Sequence, residues 1–142
     1  MSRIDGGLRQ IFRDHLPAFM WTSIETGGTG RGIPDIEYCY RGVSGWIENK
    51  KTDAWAVDLH PEQVAWLTRR ARYKGRCWVA VRRKHAGGPR KGPPIDELYI
   101  WPGARAADLK RLGLEHGLLG DCYGANGPAR WSWDAIARLL TT

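Results

Sequence analysis

Cysteine is scarce in this chain: Cys39, Cys77 and Cys122 are the three in 142 residues, far apart and odd in number. No Cys-X-X-Cys pair occurs, so neither a zinc knuckle nor a disulfide framework is supported, and a reduced, cytoplasmic setting is expected. Long apolar runs are missing too. No stretch approaches the length of a membrane span, and Met1-Ser2-Arg3-Ile4-Asp5 lacks the apolar run of a signal peptide. No membrane partner is expected, and there is no internal repeat. The run Gly27-Gly28-Thr29-Gly30-Arg31-Gly32 lacks the Gly-Lys-Ser/Thr ending of a phosphate-binding loop, and no helical pattern follows it. It reads as a turn between strands, with Arg31 placed to meet a DNA phosphate. The four histidines, His15, His60, His85 and His116, do not cluster in sequence. No serine–histidine–aspartate set stands out, so a covalent nucleophile is not indicated.

What is present is basic and globular. Hydrophobic residues make up 42%, which favours a folded core over disorder. The length suits one domain over residues 1–142. Lysine plus arginine total 22 against 15 acidic residues, a formal net charge of +7. That balance favours a polyanionic partner, most simply DNA. Eight tryptophans are a heavy load for this length, and not all of them need be core.

Periodicity predicts a first amphipathic helix over about 3–16, closed by Pro17, with Leu8, Ile11, Phe12 and Leu16 inward and Arg9, Arg13 and Asp14 on the polar face. Residues 18–25 read as a strand. Residues 35–51 read as a hairpin: Asp35, Glu37 and Cys39 share one face of its first strand, and Glu48 and Lys50 share one face of the second. Pro61 and Glu62 open a second helix that ends near Gly75, and a strand follows over 76–82. Residues 83–94 read as a basic loop. Glu97–Trp101 suits a strand, Ala104–Leu112 a helix, and Ser132 caps a last helix to about Leu140. Residues 113–130 show no clear pattern. The expected architecture is an α/β core over about 3–83, in the order α-β-β-β-α-β with a mixed central sheet flanked by helices. An α-rich C-terminal appendix is expected over 95–142.

The chemistry gathers on the hairpin. Two carboxylates, Asp35 and Glu48, on adjacent strands can converge on one cation. With the backbone carbonyl of Asn49 and waters they would satisfy Mg²⁺, for which Mn²⁺ can substitute. Lys50, two residues after Glu48, adds a positive charge beside a water and a phosphate, where it can orient the nucleophile and stabilise a charged transition state. Gly32-Ile33-Pro34-Asp35 followed by Trp46-Ile47-Glu48-Asn49-Lys50, with Pro61-Glu62-Gln63 opening the next helix, resembles the PD-(D/E)XK nuclease superfamily. Its VRR-NUC and phage-type Holliday-junction-resolvase-like branches are the nearest in pattern. The resemblance spans about residues 5–83.

This resemblance implies a restriction-endonuclease-like fold and a Mg²⁺-dependent endonuclease. It further implies branched or structured DNA as substrate, in phage or bacterial recombination, repair or genome processing. Resolving a junction takes two cuts, which would call for a homodimer. Gln63 is implied to help hold the attacking water, or is an exposed helical glutamine. Many superfamily members carry an acidic residue on the first helix. Here that helix has Asp5 and Asp14 but no glutamate, and Glu25 is the candidate replacement. Candidate phosphate contacts are Arg31, Lys51, Arg69, Arg70, Arg82, Arg83, Lys84, Arg90 and Lys91. Trp55 either stacks on a base or packs. One alternative is a non-catalytic DNA-binding or virion structural protein retaining a nuclease fold. Another is restriction-type cleavage with recognition elements in residues 84–142.

Overall fold

The computed structural model describes residues 5–25, 32–116 and 121–142, and Arg31 and most of the glycine run lie outside them. A six-stranded mixed sheet carries helices on both faces. In chain order the elements are α1 (Leu8–His15), β1 (Met20–Ser23), β2 (Ile36–Tyr40), β3 (Val43–Thr52), α2 (Pro61–Arg72), β4 (Cys77–His85), β5 (Ile95–Pro102), α3 (Ala106–Leu112), β6 (Asp121–Gly124) and α4 (Trp133–Leu140). The strands lie in sequence order across the sheet, and β3–β4 is its parallel pair, with α2 as the crossover. No helix of the described residues is long and apolar enough to cross a membrane.

Alternation on the strands divides the core in two. On one face Leu8 and Phe12 of α1 pack with Ile36, Tyr38, Ile47, Ala80, Leu98 and Ile100 and with Ile136 and Leu140 of α4. On the other, Leu59 and Leu67 pack with Val79, Val81, Tyr99, Trp101 and Leu109. Burial of each such side chain is worth about 1.5–3 kcal/mol. Tyr38 locks the first face: its hydroxyl donates to the Leu140 carbonyl at 2.6 Å and accepts from Trp78 Nε1 at 2.9 Å. The ring lies over Gly45, its partner in the β2–β3 register, where a Cβ would overlap it.

The hairpin, α1 and α2 fall where periodicity puts them, with trimmed ends. The first helix starts at Leu8, because Gly6 and Gly7 hold positive φ and the Asp5 carboxylate accepts from the amides of Gly7 and Arg9. Two expectations need correcting. The basic stretch 83–94 is not all loop, since β4 runs on to His85 with Arg83 and Lys84 in the ladder opposite Glu97 and Asp96 of β5. Those acidic partners make a strand of residues whose own sequence suggests solvent. Nor is the C-terminal third an α-rich appendix. It supplies β5 and β6 to the same sheet and α4 to the first core.

Candidate active site

The site forms where two strands part. The β2–β3 ladder ends at the pair Ile36–Ile47, while β3 continues to Thr52 against β4 alone. From Glu48 onward one edge of β3 has no strand beside it among the described residues. Asp35, immediately before β2, closes the gap: its Oδ2 accepts from the Asn49 amide at 2.8 Å, and its own carbonyl accepts from the Ile24 amide at 2.8 Å. An amide and carbonyl of one strand residue point to the same side. The Asn49 carbonyl therefore also lies on the edge that Asp35 occupies.

Gly32 fixes the approach to Asp35. It has φ +80° and packs so closely on the Glu62 carbonyl and Gln63 amide that a Cβ would overlap them. The first turn of α2 thus backs the Gly-Ile-Pro-Asp segment. That turn is itself tied by a capping box, in which Gln63 Oε1 accepts from the His60 amide at 2.9 Å. Gln63 is next to the segment, with its oxygen committed to the cap.

Glu48 and Lys50 project to one face of β3 and are 3% and 9% exposed. The Glu48 carboxyl lies within hydrogen-bonding reach of Asp35, and its Oε1 is buried with no partner among the described residues. Burial first, and the Asp35 charge second, push its pKa up to about 9, against the pull of the Lys50 ammonium and the Arg9 guanidinium. Two acids at this separation need a shared proton or a cation between them. The Asn49 side chain turns to the opposite face, buried with neither amide atom bonded.

Sequence patterning left Arg9 as a surface residue of α1. In the fold it reaches the site: Nη2 lies 3.7 Å from Asp35 Oδ1, Nη1 3.3 Å from Glu25 Oε1 and Nε 3.9 Å from Asp5 Oδ2. Its neighbour one turn on, Arg13, bonds Ser23 Oγ at 2.8 Å, so this flank of α1 lies over β1. The only signal in the sequence was the spacing of Arg9 and Arg13 along one flank beside Leu8 and Phe12. Glu25 is joined to Asp35 through Arg9 and is 84% exposed.

The donor set suits a hard divalent cation. Among the described residues no group of three or more His, Cys, Asp or Glu side chains gathers around one point. Two carboxylates, one carrying an unpartnered buried oxygen, with the Asn49 carbonyl on the strand edge that Asp35 occupies, match an ion that keeps several of its waters.

The candidate phosphate contacts divide. Arg82 is 13% exposed and consumed, donating to both Asp96 oxygens at 2.8 and 2.6 Å and to the Gly6 carbonyl at 2.7 Å. Arg83 donates to Glu97 and to the Ala54 carbonyl, both at 3.0 Å. Lys51 is exposed on the face of β3 opposite Lys50. Arg69 and Arg70 lie in the last turn of α2, about 12–14 Å of helix from its first residue. Arg70 stands against the Trp66 and Trp46 rings there, and Arg69 against Tyr73. Lys84, Arg90 and Lys91 are exposed on the β4–β5 hairpin, and Lys91 Nζ is 3.6 Å from Asp53. No family model matches the sequence, and no curated protein matches it.

Proposed function

We propose that this chain is a metal-dependent DNA endonuclease of the PD-(D/E)XK superfamily, its core the restriction-endonuclease-like order α1-β1-β2-β3-α2-β4. The observation that carries the reading is the Asp35 carboxylate held on the Asn49 amide beside Glu48, whose buried oxygen has no partner, with Lys50 on the same face. Asp35, Glu48 and the Asn49 carbonyl would hold Mg²⁺ or Mn²⁺. The bound ion would neutralise phosphate charge and acidify a water. Lys50 sits in a nearly dry setting, where its charge acts on the phosphate with little screening and orients the attacking water. Arg9, next to Asp35, supplies a further cation for the phosphate. The net charge of +7 supports a polyanionic substrate. Branched or structured DNA in phage or bacterial recombination, repair or genome processing is the substrate class, and paired cuts would require a homodimer.

The contact between Arg9 and Asp35 favours a second reading. In it the guanidinium stands in for the metal, and the chain is a non-catalytic DNA-binding or virion structural protein that keeps a nuclease fold. A cleavage assay on four-way junction, flap, single-stranded and linear duplex DNA separates the two. The nuclease reading expects cutting in Mg²⁺ or Mn²⁺, abolished by Asp35→Asn and by Lys50→Ala. Binding without cutting in either metal favours the second reading. Cutting by both variants at the wild-type rate overturns the site.

A further inference from the structure

Seven of the eight tryptophans pack into or against one of the two cores, and Trp55 packs into neither. It lies in the connection between β3 and α2 and is 39% exposed. An exposed indole on a connection would ordinarily move, yet this one is held from several sides. The Arg83 guanidinium lies over the ring, its carbon 3.7 Å from the centroid. Arg83 is fixed in turn by Ala54 and Glu97, and Glu97 also accepts from the Tyr99 hydroxyl at 3.2 Å. The Trp55 carbonyl accepts from the Leu114 amide at 2.8 Å, under Gly113, where a Cβ would collide with it. Thr52 Oγ1 ties down the amide of Ala54 at 3.1 Å and the carbonyl of Ala56 at 2.9 Å.

The ring's position matters as much as its rigidity. Arg83 is the β4 partner of Thr52, and Thr52 projects on the same face of β3 as Glu48 and Lys50. Trp55, stacked with the Arg83 guanidinium, therefore stands near the end of the strand that carries the site, where Thr52 lies about 7 Å past Lys50 along β3. The hairpin bearing the exposed Arg90 and Lys91 touches this connection at Asp53. A fixed aromatic face beside exposed cations is the combination that binds unpaired nucleotides, bases on the ring and phosphates on the cations, with Lys91 shared with Asp53.

We infer that Trp55 is a stacking platform for an unpaired nucleobase, so that the DNA bound at this site carries single-stranded nucleotides next to the scissile phosphate, as in a flap. The inference rests on the nuclease reading only for the word scissile. The stacking can be measured in EDTA, where nothing is cut.

The test is fluorescence-polarisation binding of an oligothymidine, the same strand with abasic residues, a flap DNA and a blunt duplex to wild type, Trp55→Phe and Trp55→Leu. Phenylalanine keeps a π face, whereas leucine keeps only apolar bulk. Trp55→Leu is expected to weaken oligothymidine and flap binding about tenfold or more. Trp55→Phe should lose much less, and duplex binding should not change. Abasic residues should weaken wild type and leave Trp55→Leu unaffected. Equal behaviour of the two variants, or equal losses on duplex and single strand, overturns the platform. Binding is read in EDTA and cleavage separately in Mg²⁺. A chain that passes the binding test but never cuts would therefore sink the nuclease reading and spare this one.

Discussion

At the scale of single residues, Glu48 carries a signature that does not depend on activity. In the folded metal-free protein burial and the Asp35 charge push its pKa up to about 9, whereas in the unfolded chain it ionises near its ordinary 4.5. Between those values the folded state holds more protons, so stability falls as pH rises. The contribution is complete below about 4.5 and is lost progressively toward 9. Glu48→Gln stays neutral throughout. In EDTA at pH 8 it should be more stable than wild type, by on the order of a few kcal/mol, with the difference gone at pH 4. Urea melts at the two pH values check this, and a variant less stable than wild type at pH 8 would contradict the described burial. Asp35, Glu48 and Lys50 were legible in the sequence because period-two alternation sets which side chains share a face. Arg9 was not, because its role depends on how α1 lies across β1, which no local pattern encodes.

At the scale of elements, the hairpin was readable to within a few residues and its depth was not. Gly45 shows why. β-propensity alone would favour valine in mid-strand. Here Tyr38 occupies the space over Gly45 and spends its hydroxyl on Leu140 and Trp78. Gly45→Val is therefore expected to lower stability by about 2–4 kcal/mol through overpacking and the displaced hydrogen bonds. Equilibrium unfolding measures it, and a neutral or stabilised variant would show that Tyr38 is free to move. β4 was read too short for a related reason: Arg83 and Lys84 look like solvated charge until Glu97 and Asp96 are seen on the strand beside them. β6 has only four residues, Asp121–Gly124, and pairs with β5 across a register shift. A segment that short offers too little alternation to be recognised.

At the scale of the whole molecule, the resemblance reached only to about residue 83, and the part beyond it is structural. β5 lies directly against β4 and carries Leu98 and Ile100 into one core and Tyr99 and Trp101 into the other. A chain cut after residue 94 would lose those side chains together with Ile136, Leu140 and Leu109, leaving both cores open. It is expected not to fold, with a flat thermal transition by circular dichroism; a cooperative transition would mean that the first 94 residues are self-sufficient. The same sheet that buries these groups strands Asp35 and Glu48 side by side where β2 and β3 separate. Manganese binding, followed by loss of the free-ion paramagnetic resonance signal, tests that arrangement most directly. Wild type should take up Mn²⁺, while Asp35→Asn and Glu48→Gln, both folded, should bind it far more weakly. Uptake unchanged in both variants, or none by the wild type, would contradict a cation site between the two carboxylates.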